Sequence, residues 1–211
     1  MKIIEYFLRY RPMAQWIKNS SGLPYLKLDI PVPCAEILDE WNKVKHLAVA
    51  HREKDALMNY NNKGWKSLVV YGASPQATEQ DEDKETFSWT EIATQCPKTV
   101  QWIKENFIID SNTGRIRFML LESKGYILPH EDRTEKYLSE INVAVSNPQG
   151  NIFRFLDHGT VPFNAGDVYI LDLSNKHLVS NNSEQDRLHI ILHTTVDEKI
   201  IEKSYGNRYY N

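Results

Sequence analysis

At 211 residues with 41% apolar content, the chain can bury a proper core as one large domain or a domain with an added helical layer. Its formal charge of −3 argues against the basic surface that nucleic acid or an anionic membrane selects. Cys34 and Cys96 are too few for a disulfide framework, so a reducing, cytoplasmic compartment is the expectation. The opening stretch Met1 to Arg9 is apolar but broken by Glu5. It reads as no signal peptide, and no run is long enough to span a bilayer.

In chain order, residues 1–30 read as a short strand or helix followed by a loop around Ser20-Ser21-Gly22. Pro31 and Pro33 announce a helix from Cys34 to about Val49. Ile37, Trp41, Val44 and Ala48 recur along it at helical spacing, with Leu38 widening the stripe, so Trp41 belongs to a core. His46 and His51 fall on or near its polar side and read as surface residues. Gly64 to Gly72 is a strand, with Trp65, Ser67, Val69 and Tyr71 on one face and Lys66, Leu68 and Val70 on the other. Residues 73–88 are acidic around Asp81, Glu82 and Asp83, and a solvated loop is favoured over a lid across a substrate. A second helix is expected near Pro97, with Val100, Ile103 and Phe107 as its buried side.

After the turn Ser111-Asn112-Thr113-Gly114 the pattern becomes strand-like. Arg115 to Leu120, Ile141 to Val145, Ile152 to Leu156, Asp167 to Leu173 and Arg187 to Thr194 are short strands separated by turns. That order points to an antiparallel sandwich or barrel rather than a parallel sheet. Arg115 and Arg117 share a face, either as surface charges on an edge strand or as pocket groups. In the last strand Arg187, His189, Ile191 and His193 share one face, and Leu188, Ile190 and Leu192 share the other. A face that begins with Arg and His is not buried dry, because isolated charge is costly to bury. The apolar face can pack under the two helices, which favours an anionic ligand on the polar side.

Chemistry concentrates between His130 and Arg187. His130 and Asp132 are separated by one residue, His177 follows His130 by 47 positions (177 − 130), and Arg187 follows His177 by 10 (187 − 177). Two neutral imidazoles and one carboxylate on one side of a metal, with other positions open, suit an Fe(II) oxygenase. A guanidinium is permanently charged and grips a carboxylate with two parallel hydrogen bonds. His-x-Asp alone is common by chance. Here His130 closes the apolar run Tyr126-Ile127-Leu128-Pro129 and Arg187 opens another, which places both where strands meet a pocket.

Gly125-x4-His130-x-Asp132, Gly166-Asp167-x-Tyr169-x-x-Asp172, His177-x3-Asn181 and Arg187-x-His189-Ile190 together resemble the aspartyl/asparaginyl β-hydroxylase family. Its L-proline cis-4-hydroxylase type, which keeps the acidic ligand, is the nearer likeness. The resemblance covers roughly residues 60–195 of what is expected to be a single oxygenase domain over 1–211. It implies a mainly β chain, a double-stranded β-helix (cupin-like jelly roll) with flanking N-terminal helices. It also implies Fe(II), 2-oxoglutarate as cosubstrate, and O₂. Carried over by position, His130, Asp132 and His177 are the iron ligands, and Arg187 holds the distal carboxylate of 2-oxoglutarate. The family usually carries an Arg-x-His pair in the strand after His-x-Asp; here that stretch is Ser139-Glu140-Ile141-Asn142-Val143. Arg115, Arg117, Asn142 and His189 are the candidates for replacement contacts to cosubstrate or substrate.

The implied activity is hydroxylation of an aliphatic C–H. Arg115 and Arg117, with Trp65 and Tyr71 lining an entrance, suit a small substrate carrying a carboxylate or amide, so an amino acid, free or in a peptide, is expected. Two other readings stand beside this one: a cupin metalloenzyme that uses no 2-oxoglutarate, and a non-catalytic carboxylate-binding cupin.

Overall fold

The computed structural model describes residues 13–51, 54–55, 60–77, 86–132, 139–194 and 198–204. Its helices are α1 (Met13–Ser21), α2 (Cys34–Val44), α3 (Glu91–Gln95), α4 (Pro97–Asn106) and α5 (Glu198–Glu202). Its longer strands are β1 (Tyr25–Leu28), β2 (Lys63–Gly72), β3 (Ile116–His130), β4 (Ser139–Ser146), β5 (Asn151–Phe155), β6 (Val168–Leu171), β7 (His177–Asn181) and β8 (Arg187–Thr194). No described helix is long and apolar enough to cross a membrane. Cys34 and Cys96 are both free thiols.

Every described pairing between strands is antiparallel, as the turn spacing predicts. The order runs β1-β6-β4-β8-β3-β7-β5, and β2 lies along the other side of β3. β3 is the spine. Its first half pairs with β8 and β2, and its second half with β7. Between the halves it bends over Glu122–Gly125, where Lys124 takes a φ of 58°. A Cβ on Gly125 would meet the Glu122 and Lys63 carbonyl oxygens at 2.8 Å, so only glycine lets the two chains approach so closely. The curl brings residues of both halves into one inner cluster: Leu121, Ala144, Tyr169 and Leu171 meet Ile127, Phe153, Phe155 and Val179.

The opposite face of the sheet is apolar and covered by helices. Leu188, Ile190 and Leu192 of β8, with Ile141 and Val143 of β4, pack against Ile37 and Trp41 of α2, Ile92 of α3 and Ile103 of α4. Period-two reading of the last strand is thus correct on both faces, and its bounds are those expected. Trp41 is a core residue, 4% exposed.

Several local expectations are corrected. α2 ends at Val44 and tightens into a 3₁₀ turn at Lys45–Leu47, instead of reaching Val49. α1 runs through Ser21, so the loop begins at Gly22. His51 is buried rather than on the surface; its Nδ1 lies 3.1 Å from Ser67 Oγ and its ring meets Trp65 edge-on at 4.4 Å. Arg115 and Arg117 are buried at 6% exposure, because β2 covers β3 on the side that the edge-strand reading left open. The β2 register shifts between Val69 and Tyr71. Tyr71 therefore leaves the face of Trp65 and packs with Phe87 and Trp89 beneath the helices. Most of the acidic loop lies outside the described residues.

Sequence periodicity could not reveal how α4 begins. Glu40 of α2, 4% exposed, reaches across to the start of α4 and accepts from Lys98 N at 2.7 Å, Thr99 N at 2.9 Å and Thr99 Oγ1 at 2.7 Å. A carboxylate there satisfies amide groups that have no partner within the helix, and it complements the helix dipole. Glu40→Ala should therefore destabilise the fold by about 3 kcal/mol and Glu40→Gln by about 1 kcal/mol, since the amide keeps one acceptor and loses the charge. Urea unfolding of the three proteins at equal m-value checks both figures. Equal midpoints would mean that the contact contributes nothing.

Candidate metal and anion site

His130 is the last residue of β3, Asp132 lies two residues on, and His177 is the first residue of β7, which pairs with His130 across the ladder. Their ligand atoms all lie within 4.8 Å of one another. Asp132 Oδ2 is 3.7 Å from His130 Nε2 and 3.8 Å from His177 Nε2. Those gaps are too long for hydrogen bonds and suit three donors facing one shared point.

Backbone carbonyls set the tautomers. His130 Nδ1 donates to Leu128 O at 2.8 Å, and His177 Nδ1 donates to Asn175 O at 2.9 Å. Each ring then turns an Nε2 lone pair toward the shared point, the arrangement a metal-binding imidazole needs. Burial, and next the charge of His130, push the His177 pKa down against the opposing pull of Asn175, Asp132 and Glu140. A neutral imidazole is the form that ligates. Phe153 stacks on the His177 ring at 5.3 Å, interplanar angle 5°. The Asp132 amide donates to Leu173 O at 2.9 Å, which fixes the loop after β3.

The spaced Asp and Asn residues turn out to be scaffolding. Asp172 accepts from Ser174 Oγ at 2.5 Å and Asn175 Nδ2 at 2.9 Å, shaping the turn that delivers His177. Asn181 is fully buried; its amide nitrogen reaches Leu121 O, Glu122 O and Gln185 O, tying the bend of β3 to the β7–β8 turn. Asp167 accepts from Asn164 N at 2.8 Å and pairs with Lys27 at 2.5 Å.

Deeper in the curl lies a cation without a counter-charge. Arg187 is 5% exposed, and no acid pairs with it among the described residues. Burial pushes its pKa down to about 9. Its Nη2 donates to His189 Nδ1 at 2.8 Å, which leaves the ring proton on Nε2. The Asn142 amide also meets Nδ1, at 2.5 Å. Burial, and then the Arg187 charge, hold the His189 pKa well below its usual value, so the ring is neutral. Its Nε2–H is buried with no partner among the described residues. A guanidinium and an imidazole N–H, both desolvated and both seeking an acceptor, form a cradle for a carboxylate.

The sequence-derived candidates separate accordingly. His130, Asp132 and His177 come together, as do Arg187, Asn142 and His189. Arg117 is on the inner side of β3, alternating with Ile116 and Phe118 of the helix-covered face, and Arg115 precedes the strand, its carbonyl accepting from the His193 amide. Trp65 is also on the inner side, its ring 6.5 Å from that of His130. Tyr71 is elsewhere. One inner-face group went unnoticed: Glu140 of β4, whose Oε2 lies 3.2 Å from Nε2 of His193, which the period of the last strand had already put on that face. Period two counted back from Asn142 would have found Glu140.

The aspartyl/asparaginyl beta-hydroxylase family matches residues 34–195, most of the chain. The chain belongs to that family. It is accordingly an enzyme of the 2-oxoglutarate-dependent hydroxylase class. No curated protein sequence matches it. Among solved structures it is similar to a Pseudomonas putida prolyl-4-hydroxylase, at 13% identity and a TM-score of 0.52, covering 87% of this chain and 98% of that one. It is also similar to a Trichoplax adhaerens prolyl hydroxylase in complex with a hypoxia inducible factor oxygen degradation domain peptide fragment. There the identity is 13% and the TM-score 0.54, covering 97% of this chain and 98% of that one. At such identity the likeness is one of fold: the curled antiparallel sheet is the jelly roll of the 2-oxoglutarate oxygenases.

An unpaired buried guanidinium costs stability until an anion arrives. Arg187→Met should therefore raise the Tm of the ligand-free protein by roughly 4–8 °C, equivalent to about 2 kcal/mol. The depressed pKa sets the pH window. Below about pH 9 Arg187 is charged in both folded and unfolded chains and its penalty is complete; the penalty lifts as pH rises through 9 and the folded form releases its proton. The gain should be full at neutral pH and shrink above pH 9 in calorimetric scans. A lower Tm for the variant would mean that the guanidinium is already compensated.

Proposed function

We propose that His130, Asp132 and His177 hold Fe(II), and that Arg187 with His189 Nε2–H holds the distal carboxylate of 2-oxoglutarate. The enzyme then hydroxylates an aliphatic carbon of an amino acid, free or in a peptide. The observation that carries this reading is the buried Arg187–His189 pair, which presents donors and no acceptor on the same inner face that the three ligands close. Both groups fit the residues present: the ligand set mixes nitrogen and oxygen donors as Fe(II) prefers, and the cradle is a desolvated cation of the right sign.

Bound there, Fe(II) with 2-oxoglutarate and O₂ supplies the oxidising chemistry, converting C–H to C–OH with succinate and CO₂ as coproducts. The chain's own residues do the rest. Leu128 O and Asn175 O fix the tautomer of each imidazole and aim its Nε2. Phe153 and Phe155 flank His177 and keep water from that side. Asn142 fixes the His189 ring and so the direction of its N–H. Arg117 and Trp65, on the inner faces of β3 and β2, and Arg115, just before β3, are the proposed contacts to substrate.

His177→Ala removes one of three protein ligands and should abolish Fe(II) binding at micromolar metal as well as succinate release from 2-oxoglutarate under air. Arg187→Met should bind iron but need at least tenfold more 2-oxoglutarate, since losing one partner of a buried charged hydrogen bond costs about 2–5 kcal/mol. Full turnover by the His177 variant would sink the metal assignment. An unchanged 2-oxoglutarate dependence would sink that of Arg187.

A further inference from the structure

The two histidines of the candidate metal site are anchored differently. His177 is held from within its own turn, where Asp172 shapes Ser174 and Asn175 and the Asn175 carbonyl accepts from the ring. Phe153 and Phe155 of β5, the strand paired with β7, pack against that ring. His130 closes β3 instead, and its Nδ1 donates to Leu128 O within the same strand. The peptide that carries this carbonyl joins Leu128 to Pro129, so it has no N–H by which a neighbour could hold it. The nearest donor upstream is the Leu128 amide. It donates to Asn62 Oδ1 at 2.9 Å.

Asn62 immediately precedes β2 and is 5% exposed. The β2–β3 ladder reaches Lys63, which pairs with Tyr126, and the residue before it lends a side chain to a position further along β3. The Leu128 N–H can only donate, so the amide oxygen of Asn62 is the end that faces it. Three residues on, the Trp65 ring lies 6.5 Å from that of His130. The start of β2 thus flanks the imidazole and also anchors the carbonyl that orients it.

We propose that Asn62 is a positioning residue for His130. By holding the Leu128 amide it holds the carbonyl that follows, and through that carbonyl the Nδ1–H tautomer, which leaves the Nε2 lone pair for the metal. This rests on the iron reading above and deepens it, because it names a residue on which one ligand depends and the other does not. An imidazole with no fixed acceptor at Nδ1 samples both tautomers, and the Nε2–H form cannot ligate through Nε2. Partners that orient a ligating imidazole typically govern about 10–100-fold in metal affinity. Asn62 acts one hydrogen bond further out, which places its effect at the lower end of that range.

Two measurements on the full chain test this, and the first needs no metal. In protein carrying nitrogen-15 in its histidine rings, at about pH 8 and so above the usual histidine pKa of about 6.5, ring nitrogen shifts report each tautomer. The signals of the two rings are identified by their loss in His130→Gln and His177→Gln. Wild type should show Nδ1–H at both. Asn62→Ala should give a mixture of tautomers at His130 alone, and Asn62→Asp, which keeps the acceptor, should restore Nδ1–H there. Asn62→Leu, similar in size and without an acceptor, repeats the test should the alanine variant fold poorly. The second measurement is titration with Co(II) in the absence of oxygen. Asn62→Ala should weaken binding about tenfold and Asn62→Asp should stay within about threefold of wild type. Glu40→Ala, which loosens the helical layer on the other face of the sheet, should leave the affinity unchanged. An unaltered His130 tautomer in Asn62→Ala and Asn62→Leu overturns the proposal, and so does an equal loss of affinity in Glu40→Ala, which would trace the effect to stability alone. Absence of Co(II) binding by wild type would count against the iron reading instead, and the tautomer comparison would still decide the role of Asn62.

Discussion

A guanidinium buried with no counter-charge among the described residues is the constraint on which the rest of this fold depends. Arg187 opens β8, a strand flanked on both sides, so its side chain cannot swing to solvent without breaking a ladder. The cost is tolerable only because the other face of the same strand, Leu188, Ile190 and Leu192, is buried under the helices. Each such side chain contributes roughly 1.5–3 kcal/mol on burial, enough together to offset a desolvated charge. The helical layer is therefore more than a lid on the sheet: it stabilises a polar interior that would not fold alone. Glu40, which joins α2 to α4, helps keep that layer in one piece.

The residues proposed to hold the metal follow a different logic. The two histidines sit at strand ends, where nearby backbone carbonyls accept from imidazole Nδ1. Leu128 O and Asn175 O each serve the histidine two residues downstream. That local geometry needs no long-range packing to choose the tautomer. Bringing the two histidines together does need it, and the bend of β3 at Gly125 supplies it by turning the second half of the strand toward β7.

What was legible in the sequence is what repeats within a few residues. Period two in β8 separated polar from apolar faces correctly because both neighbours keep register over most of its length. Helix α4 was visible from Pro97 and its apolar spacing. Failures arose where the deciding partner is distant or the register slips. Tyr71 left the Trp65 face at a shift that no spacing rule anticipates. For Arg115 and Arg117 the edge-strand alternative stayed open beside the pocket reading, because β2 comes more than forty positions earlier in the chain. His51 looked solvated because Ser67 and Trp65, which enclose it, belong to another strand. The strand β7 was missed since its five residues alternate too briefly to stand out.

Similarity of fold to two prolyl hydroxylases at 13% identity shows how little of the chain this architecture constrains. Apolar positions need only the right period, and many residues satisfy that. Inner-face polar positions are stricter, because each buried donor or acceptor must find a partner or a ligand. Two depths of that face then carry different burdens. The deep rows, with Arg187 and His189, present donors alone and so suit an anion, whatever else is bound. The outer rows, with Glu140, Arg115 and Arg117, mix charges and can change sign with a single substitution while the helix-covered face stays as it is. A fold arranged this way can hold one anion deep in the curl and vary the groups nearer its mouth, since the two sets of residues occupy different rows of the same face.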